Sequence, residues 1–402
     1  MDFNDSSEQA AFRAEAAAFL SEHWALLPPG KDMNEAEFNA ALVVEAKAWQ
    51  AIKYDNGWAC LHWAKAYGGR DATPIQSIIW TQEESRFDAP SVEVFSLGHG
   101  MIGPTLITHG TQEQKTGFLQ RMARGDDIWC QLFSEPCAGS DLAGLRTSAK
   151  KDGNDWIING QKIWTSAAQF CRYGMLVVRT DPEVAKHDGL TCFVLDLASA
   201  GVAIRPIKQA NGEADFNEVF LTDVRISDAN RIGEVGNGWR VTMTTLLNER
   251  LSLSGGFGMA QLFERLCAQT RELGLTNDAG VRRQLANYYV RIRGLEHINK
   301  RTITALSLGR EPGPEGSIAK LVAAPLVQNM ARFGIELQGM LGTLVLDDGY
   351  DFQKKYLAAP QYRIAGGTDE IMRNILAERV LGLPAEQRAD KGMAFNKIPS
   401  GR

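Results

Sequence analysis

The sequence predicts an α+β protein in which an all-α domain, an antiparallel β-domain and a second all-α domain follow one another along 402 residues. Hydrophobic residues recur at helical spacing up to about residue 127, and from there to about residue 233 they alternate with polar residues. Helical spacing then returns behind a glycine-rich segment. We therefore predict an N-terminal α-helical domain at 1–127, a middle β-domain at 128–233 and a C-terminal α-helical domain at 234–402.

The first region carries a helix-start signal and amphipathic segments. Ser6-Ser7-Glu8-Gln9 is a capping-box pattern, and the apolar residues that follow it at helical spacing predict a helix with one buried face. The residues of that face are Phe12, Ala16, Phe19, Leu20, Trp24 and Leu27. Similar spacing predicts helices over Glu35 to Tyr54, Ile75 to Phe87 and Thr111 to Arg124.

The second region has the two-residue alternation that is typical of β-strands. Asn159-Gly160 separates the short apolar runs 156–158 and 161–164, and this dipeptide favours the positive φ angles of a type I′ turn. We therefore predict a β-hairpin there. Further strands are predicted over Met175 to Arg179, Thr191 to Leu197, Val202 to Ile207 and Glu218 to Ile226. Such short strands indicate a small antiparallel barrel or sandwich.

The third region begins after the glycine-rich segment Gly233 to Gly238 and has helical spacing. Helices are predicted over Trp239 to Gly258, around a stripe of Leu285, Tyr289, Ile292 and Leu295, and over Ile318 to Leu341. The predicted order is therefore α, then β, then α.

Composition and charge narrow the classes of function. With 43 basic and 48 acidic residues, the formal charge of −5 predicts no basic face for nucleic acid. No apolar stretch approaches the roughly 18 residues that span a bilayer, and Met1 to Asp5 is acidic where a secretory signal is basic. We therefore expect a cytoplasmic protein without a membrane span. The cysteines and histidines show no metal-ligand spacing, so no metal site is predicted.

The segment from Gln131 to Gly144 carries the clearest binding chemistry. Its small residues let backbone N–H groups approach a phosphate or a planar ligand rich in hydrogen-bond acceptors. The hydroxyl groups of Ser134 and Ser140 add directed hydrogen bonds. An ordinary turn-rich linker has the same composition, and spacing alone favours that simpler interpretation.

Residue by residue, this segment resembles the signature of the acyl-CoA dehydrogenase family. Ser134 to Gly144 matches the family pattern Ser/Thr-Glu-x-x-Ala-Gly-Ser-Asp-x-x-Gly at every fixed position. Other segments resemble family landmarks in the family order, so the resemblance covers nearly the whole chain. They are Gly57 to Gly69, Glu83-Glu84, His109 to Lys115, Asn159 to Ser166 and Ile364 to Ile371.

The resemblance implies a helical domain, a β-domain and a four-helix domain, in the order that periodicity predicts independently. It also implies an enzyme that binds FAD and an acyl-CoA thioester and introduces an α,β double bond. The residues implied to contact FAD are Gln131, Phe133, Ser134, Ser140, Trp164, Thr165, Ser166, Thr368 and Glu370. Ser140, Gly366 and Gly367 are implied to contact the thioester substrate.

The resemblance also suggests a catalytic base. Removal of the α-proton needs a carboxylate, and burial raises the pKa of a carboxylate enough for this task. Most family members carry this Glu where the present chain has Gly366, which has no side chain to act as a base. A branch represented by isovaleryl-CoA dehydrogenase places it in a Glu-Arg pair, which Glu249-Arg250 matches. We predict Glu249 as the base and Arg250 as its substrate-side neighbour; the alternative is a solvated ion pair on a helix.

Two family segments through which a neighbouring subunit completes each FAD site are matched only loosely. Arg271 falls in the first and is predicted to contact FAD, whereas Glu336 stands where the second has Gln. A carboxylate near the FAD pyrophosphate would repel it. Completion of the FAD site within one kind of subunit is therefore left open.

The partners that the resemblance implies are an acyl-CoA substrate, an electron-transfer flavoprotein and further subunits in a homo- or hetero-tetramer. The loosely matched segments resemble bacterial enzymes of steroid and lipid side-chain degradation, some of which are α2β2 pairs. Two other functions stay open. One is a non-catalytic subunit of such a pair, and the other is an oxygen-using flavin enzyme on the same fold, an oxidase or a monooxygenase.

Overall fold

The structure is a computed structural model that describes residues 5–26, 40–252, 258–308, 313, 316–344, 352–388 and 390–399. Within these ranges, the side chains of 249–252, 306 and 307 lie outside the described part. The chain forms two compact units. The first comprises Met1–Lys208, Ala214–Asn248 and Arg388–Arg402, and the second comprises Gln209–Glu213 and Glu249–Gln387.

The first unit begins with a helical layer. Its helices are α1 (Ser7–His23), α2 (Ala40–Asp55), α3 (Pro74–Glu84), α4 (Gly103–His109) and α5 (Gln112–Arg124). The predicted capping box is confirmed, because the Ser6 hydroxyl accepts from Gln9 N and the Gln9 side chain accepts from Ser6 N. The α1 face buries Phe12, Ala16 and Leu20. Leu27 and the predicted helix start at Glu35 lie outside the described residues.

The rest of the first unit is a mainly antiparallel sheet. Its strands in the described part are β1 (Trp129–Leu132), β2 (Ser148–Asp152), β3 (Asp155–Ser166), β4 (Tyr173–Arg179), β5 (Leu190–Asp196), β6 (Val202–Ile207), β7 (Phe216–Ser227) and β8 (Arg231–Ile232). The order is β6-β7-β3-β2-β4-β5-β8, and β1 pairs with β4 in parallel. Apolar side chains from six of these strands form one buried cluster, which includes Leu132, Ile158, Leu176, Phe193 and Val219.

The predicted hairpin at Asn159-Gly160 is wrong. Strand β3 runs without interruption through both residues, and the tight turn lies earlier, where Asp152 pairs with Asp155 across Gly153 at φ +62°. Asn159 instead bonds the β7 residue Asp223, donating Nδ2–H to Oδ1 at 2.9 Å and accepting Asp223 N–H at 2.9 Å. Tertiary pairing with β7 thus decides the conformation of a dipeptide that favours a turn in isolation.

Helical elements follow the sheet, as the periodicity predicts. They are α6 (Gly238–Ser252), α7 (Met259–Glu272), α8 (Ala279–Ser307), α9 (Ser317–Leu337), α10 (Phe352–Ala358) and α11 (Asp369–Ile375). In the second unit, α7, α8 and α9 share a core that includes Leu262, Ile292, Leu295 and Val327. The predicted α8 stripe is wrong at Tyr289, which is 51% exposed, because Tyr288 occupies the buried position instead.

Among the helices that the structure describes, none has the length and the apolar character that crossing a membrane requires.

Candidate functional site

The predicted binding loop, Ser134 to Gly144, connects β1 to β2 and begins with a tight turn. Glu135 N donates to Ala138 O and Ala138 N donates to Glu135 O, both at 3.0 Å. This pair of bonds closes the loop on itself around Pro136 and Cys137. The loop leaves Ser134 half-buried and Ser140 exposed, so both hydroxyl-bearing residues are within reach of a ligand.

The Glu135 carboxylate fixes the base of this loop. Its Oε1 lies 2.8 Å from Lys162 Nζ and accepts the Thr147 N–H at 2.9 Å, and its Oε2 accepts the Arg146 N–H at 2.6 Å. Burial by itself raises the pKa of Glu135, but the Lys162 ammonium and these hydrogen bonds outweigh burial and lower that pKa. Glu135 is therefore a buried carboxylate engaged with the protein scaffold.

Two further cations hold the second half of the loop. Arg179 donates to Ala143 O at 2.5 Å and to Leu145 O at 3.1 Å. Lys186 Nζ contacts both carboxylate oxygens of Asp141, at 2.9 and 3.0 Å. Burial lowers the pKa of Arg179 to about 10. The residues that follow Ser140 are thus tied to strand β4 and to the segment after it.

The structure brings this loop beside the end of β3. Ile163 N donates to Ser134 O at 3.0 Å, and Lys162 Nζ donates to Phe133 O at 3.0 Å. The second of these bonds uses the ammonium that also pairs with Glu135. These contacts place Phe133 and Ser134 beside the end of β3 that carries Trp164, Thr165 and Ser166, and Gln131 lies on β1 just before them. Ser140, the other predicted residue of the loop, lies six residues after Ser134.

Trp164 and Thr165 fit the planar, acceptor-rich ligand that the sequence predicts. Trp164 has φ +59°, a conformation uncommon for a residue with a side chain, and 57% of its surface is exposed. Thr165 is buried, and its Oγ1 has no hydrogen-bond partner among the described residues. An exposed indole offers a stacking surface, and an orphaned buried hydroxyl offers a hydrogen bond. These residues therefore suit an isoalloxazine ring.

In the second unit, the predicted closing motif forms a glycine turn before α11. Gly366 and Gly367 have φ angles of +65° and +95°, which favour glycine over any residue with a side chain. The Thr368 hydroxyl caps α11 by accepting Ile371 N–H at 3.2 Å, and Lys320 donates to Gly367 O. The turn thus presents backbone at the position where most family members carry a catalytic Glu.

The ion pair between Arg363 and Asp369 supports this turn. Asp369, at 3% exposure, accepts Nε–H of Arg363 at 2.8 Å, while its Oδ1 has no partner among the described residues. Glu370 is exposed in the first turn of α11. Gly366, Gly367, Thr368 and Glu370 therefore lie together, as consecutive or near-consecutive residues of one turn.

The other predicted site residues, Arg271, Glu249 and Arg250, lie elsewhere along the chain. Arg271 is exposed in the last turn of α7, and no hydrogen bond or ion pair in the described part links it to another predicted site residue. Glu249 and Arg250 belong to the backbone of α6, but their side chains lie outside the described residues. Their predicted roles as base and substrate neighbour stay predictions.

Sequence reasoning missed the residues that position the loop, above all Lys162 and Arg179. A signal for Lys162 existed in the alternation of β3. The side chains of Trp156 and Ile158 are buried on the inner face of the strand. Lys162 lies an even number of residues further along, so its side chain also enters the core, where a buried ammonium group needs an anionic partner. For Arg179, which ends an apolar strand, a similar argument holds.

Comparison with known proteins places these features in one family. The family models for the N-terminal, middle and C-terminal domains of acyl-CoA dehydrogenase match residues 6–126, 130–224 and 236–381. The chain is 35% identical over 388 residues to the acyl-CoA dehydrogenase IpdE1 of Mycobacterium tuberculosis, covering 94% of this chain and 98% of that protein.

Two solved structures are similar over nearly the whole chain. The Tcur3481-Tcur3483 steroid ACAD is 25% identical with a TM-score of 0.81, covering 96% of this chain and 100% of the other. The ChsE4-ChsE5 complex from Mycobacterium tuberculosis is 28% identical with a TM-score of 0.77, covering 96% and 100%. Both therefore have the same fold as this chain.

Proposed function

This chain belongs to the acyl-CoA dehydrogenase family of FAD-dependent oxidoreductases that act on CH–CH groups, and from that premise we propose that it desaturates an acyl-CoA thioester at its α and β carbons. One observation carries the proposal. The loop that holds Ser134 and Ser140 lies against the end of β3, where Trp164 is exposed and the Thr165 hydroxyl is unpaired in the described part. A flavin-binding surface needs this combination of stacking and hydrogen-bonding groups.

The residues proposed to contact FAD come from several segments of the chain. They are Gln131, Phe133, Ser134, Ser140, Trp164, Thr165, Ser166, Arg271, Thr368 and Glu370. When bound, FAD supplies the two-electron acceptor that takes the β-hydrogen as hydride. Trp164 and Thr165 would orient the ring system, and Phe133 would exclude water from one edge.

Glu249 is proposed to remove the α-proton. The turn position that most family members use for the base is Gly366, which has no side chain. Glu249 stands four residues after Thr245, whose hydroxyl lies 2.9 Å from the Thr105 hydroxyl in the buried part of the first unit. That contact fixes α6 one turn before the proposed base. Bound substrate would exclude water from the site, and a carboxylate is a more effective general base where water is excluded.

The thioester carbonyl needs hydrogen-bond donors, because negative charge develops on its oxygen as the α-proton leaves. We assign this role to the backbone N–H of Gly366, with Gly367 beside it, since a backbone donor needs no side chain. Arg250 would stabilise the acyl-CoA ligand or orient α6, and Ser140 would contact the thioester from the loop.

Substrate and partners follow from the named relatives. The similar structure called a steroid ACAD favours an acyl group on a ring system, from steroid or lipid side-chain degradation. Both similar structures are named after two chains, which favours a hetero-tetramer whose partner completes the FAD site, over a homotetramer. We propose an electron-transfer flavoprotein as electron acceptor and the cytoplasm as location.

Substitution of the base tests the mechanism. Glu249→Gln should lower the rate constant of flavin reduction by about a thousandfold, within the range that general bases contribute, and leave the flavin content unchanged. The measurement is anaerobic bleaching of bound flavin by acyl-CoA, with the exposed Glu264→Gln as the matched control. A Glu249→Gln enzyme within threefold of wild type would overturn the assignment. A wild-type chain that carries little FAD alone, and gains it with a second subunit, would indicate the heteromer.

A further inference from the structure

Residues 390–396, which we call the C-terminal strap, lie on the β-domain of the first unit. Phe395 N donates to Val184 O at 2.8 Å, and Asn396 N donates to Pro182 O at 2.9 Å. Ala394 forms an antiparallel bridge with Ala185. The strap is therefore paired, backbone to backbone, with the connection between β4 and β5.

One ammonium group joins the strap to the Ser134–Gly144 loop. Lys186 Nζ contacts Asp141 at 2.9 Å from the loop side and Asp390 from the strap side. The Lys186 side chain is 11% exposed and that of Asp390 is 22% exposed, whereas Asp141 is 63% exposed, so water reaches this contact mainly from the loop side. Asp141 directly follows Ser140, the residue proposed to contact both flavin and thioester.

A guanidinium group makes the second connection. The Arg179 side chain donates to Ala143 O of the loop and to Leu145 O directly after it, and its Cζ lies 3.4 Å from the centroid of the Phe395 ring. Arg146 approaches the same ring at 5.5 Å. A cation stacked on an aromatic face is attracted to it, and more strongly when water is excluded. Phe395 thus covers the group that holds two loop carbonyls.

We propose that the C-terminal strap positions the acyl-CoA-binding loop, with Phe395 acting through Arg179 and Asp390 acting through Lys186. Phe395 and Asp390 are argued to act through Arg179 and Lys186, so they are positioning residues. The identity of the ligand that the loop receives rests on the proposed function. The contacts that join the strap to the loop do not depend on the proposed function, because they lie within this chain.

Hydrogen exchange tests the link without any ligand or turnover. The Gly144 and Leu145 amides donate to Asp141 O and Leu142 O, so they are protected while the loop keeps its shape. In the 402-residue chain, Phe395→Ala should speed their exchange by about tenfold, and Asp390→Asn by about threefold. Met393→Ala, a change of another apolar strap residue, is the control and should leave both rates unchanged. Unchanged exchange in both Phe395→Ala and Asp390→Asn would overturn the proposal.

Kinetics supply the second readout. Loosening the loop weakens the ground-state complex, so Phe395→Ala should raise KM for acyl-CoA about fivefold and change kcat by less than twofold. A fall in kcat with unchanged KM would contradict a positioning role. If wild-type protein turns over no acyl-CoA, the proposed function fails, while the exchange experiment still decides whether the strap holds the loop.

Discussion

The Ser134–Gly144 loop and the Gly366–Glu370 turn each rest on an acidic residue paired with a cation, but the two pairs differ in their access to water. In the loop, the Lys162 side chain has no exposed surface, whereas Arg363 below the turn is 43% exposed. An unpaired charge in a dry interior is costly, while water replaces a lost partner near the surface. We therefore expect the stability of the loop to depend on its ion pair more strongly than that of the turn does.

The two ion pairs also show what the acidic residues of the loop and the turn contact. Glu135 follows Ser134, and Asp369 follows Thr368, yet both carboxylates are buried and bonded to protein groups. The hydroxyl-bearing neighbours are the residues left for a ligand or a helix cap. In each motif, the acid shapes the backbone and its neighbour carries the proposed contact.

The largest effect is expected from removing the buried cation. Lys162→Met leaves Glu135 ionised and without its cation, and should lower the free energy of unfolding by about 3–5 kcal/mol. Urea unfolding followed by circular dichroism measures the loss, and the flavin-to-protein ratio should fall with it. The exposed Lys150→Met on β2 is the matched control.

The double variant Glu135→Gln with Lys162→Met sharpens this test. A neutral amide oxygen still accepts a backbone N–H, so part of the lost stability should return. If the double variant is as unstable as Lys162→Met alone, the unpaired charge is not the cause.

A smaller effect is expected at the turn. Arg363→Met should lower the free energy of unfolding by about 1–2 kcal/mol, because water can reach the buried Asp369 once the half-exposed arginine is gone. The same urea titration applies, with Arg373→Met as the control, since Arg373 lies 3.7 Å from the exposed Glu370. A loss of unfolding free energy equal to that of Lys162→Met would contradict the expected difference between the loop and the turn.

The smallest effect is expected on the stability of the protein at acidic pH. Because the pKa of Glu135 is lowered in the folded protein, its contribution to stability is complete above the ordinary value of 4.5 and is lost as the pH falls toward the folded value. Glu135→Gln should therefore flatten the pH dependence of unfolding below about pH 4.5. Parallel pH curves for variant and wild type would contradict the lowered pKa.

The order of helical and β regions could be predicted from sequence because it depends on periodicity, which each element carries in its own residues. The capping box at Ser6 is local in the same sense. The hairpin prediction at Asn159-Gly160 was wrong because β7 supplies Asp223 as a partner, a residue distant in sequence. In α8, Tyr288 is buried where the prediction has Tyr289, which corresponds to a shift of the buried stripe by one residue at this point.

For the site, sequence could predict which residues cluster in the loop and the turn but not what holds them. Lys162 and Arg179 act through carbonyl and carboxylate groups of other segments, and such pairings appear only when the chain is folded. The family resemblance supplies Glu249 and Arg271, and their roles stay predictions.

The strap also bears on how the chain folds during synthesis. The first unit is built from Met1–Lys208, Ala214–Asn248 and Arg388–Arg402, so it is interrupted by the chain of the second unit. The ribosome must therefore translate residues 249–387 before Phe395 can reach Arg179. Until then, the Phe395 ring cannot cover Arg179 in the nascent β-domain. If residues 249–387 are still unfolded, bringing the two ends of this segment together costs about 4 kcal/mol of chain entropy. Folding of the second unit first would bring its ends together and lower that cost, which couples the maturation of the loop to the helices that follow it in translation.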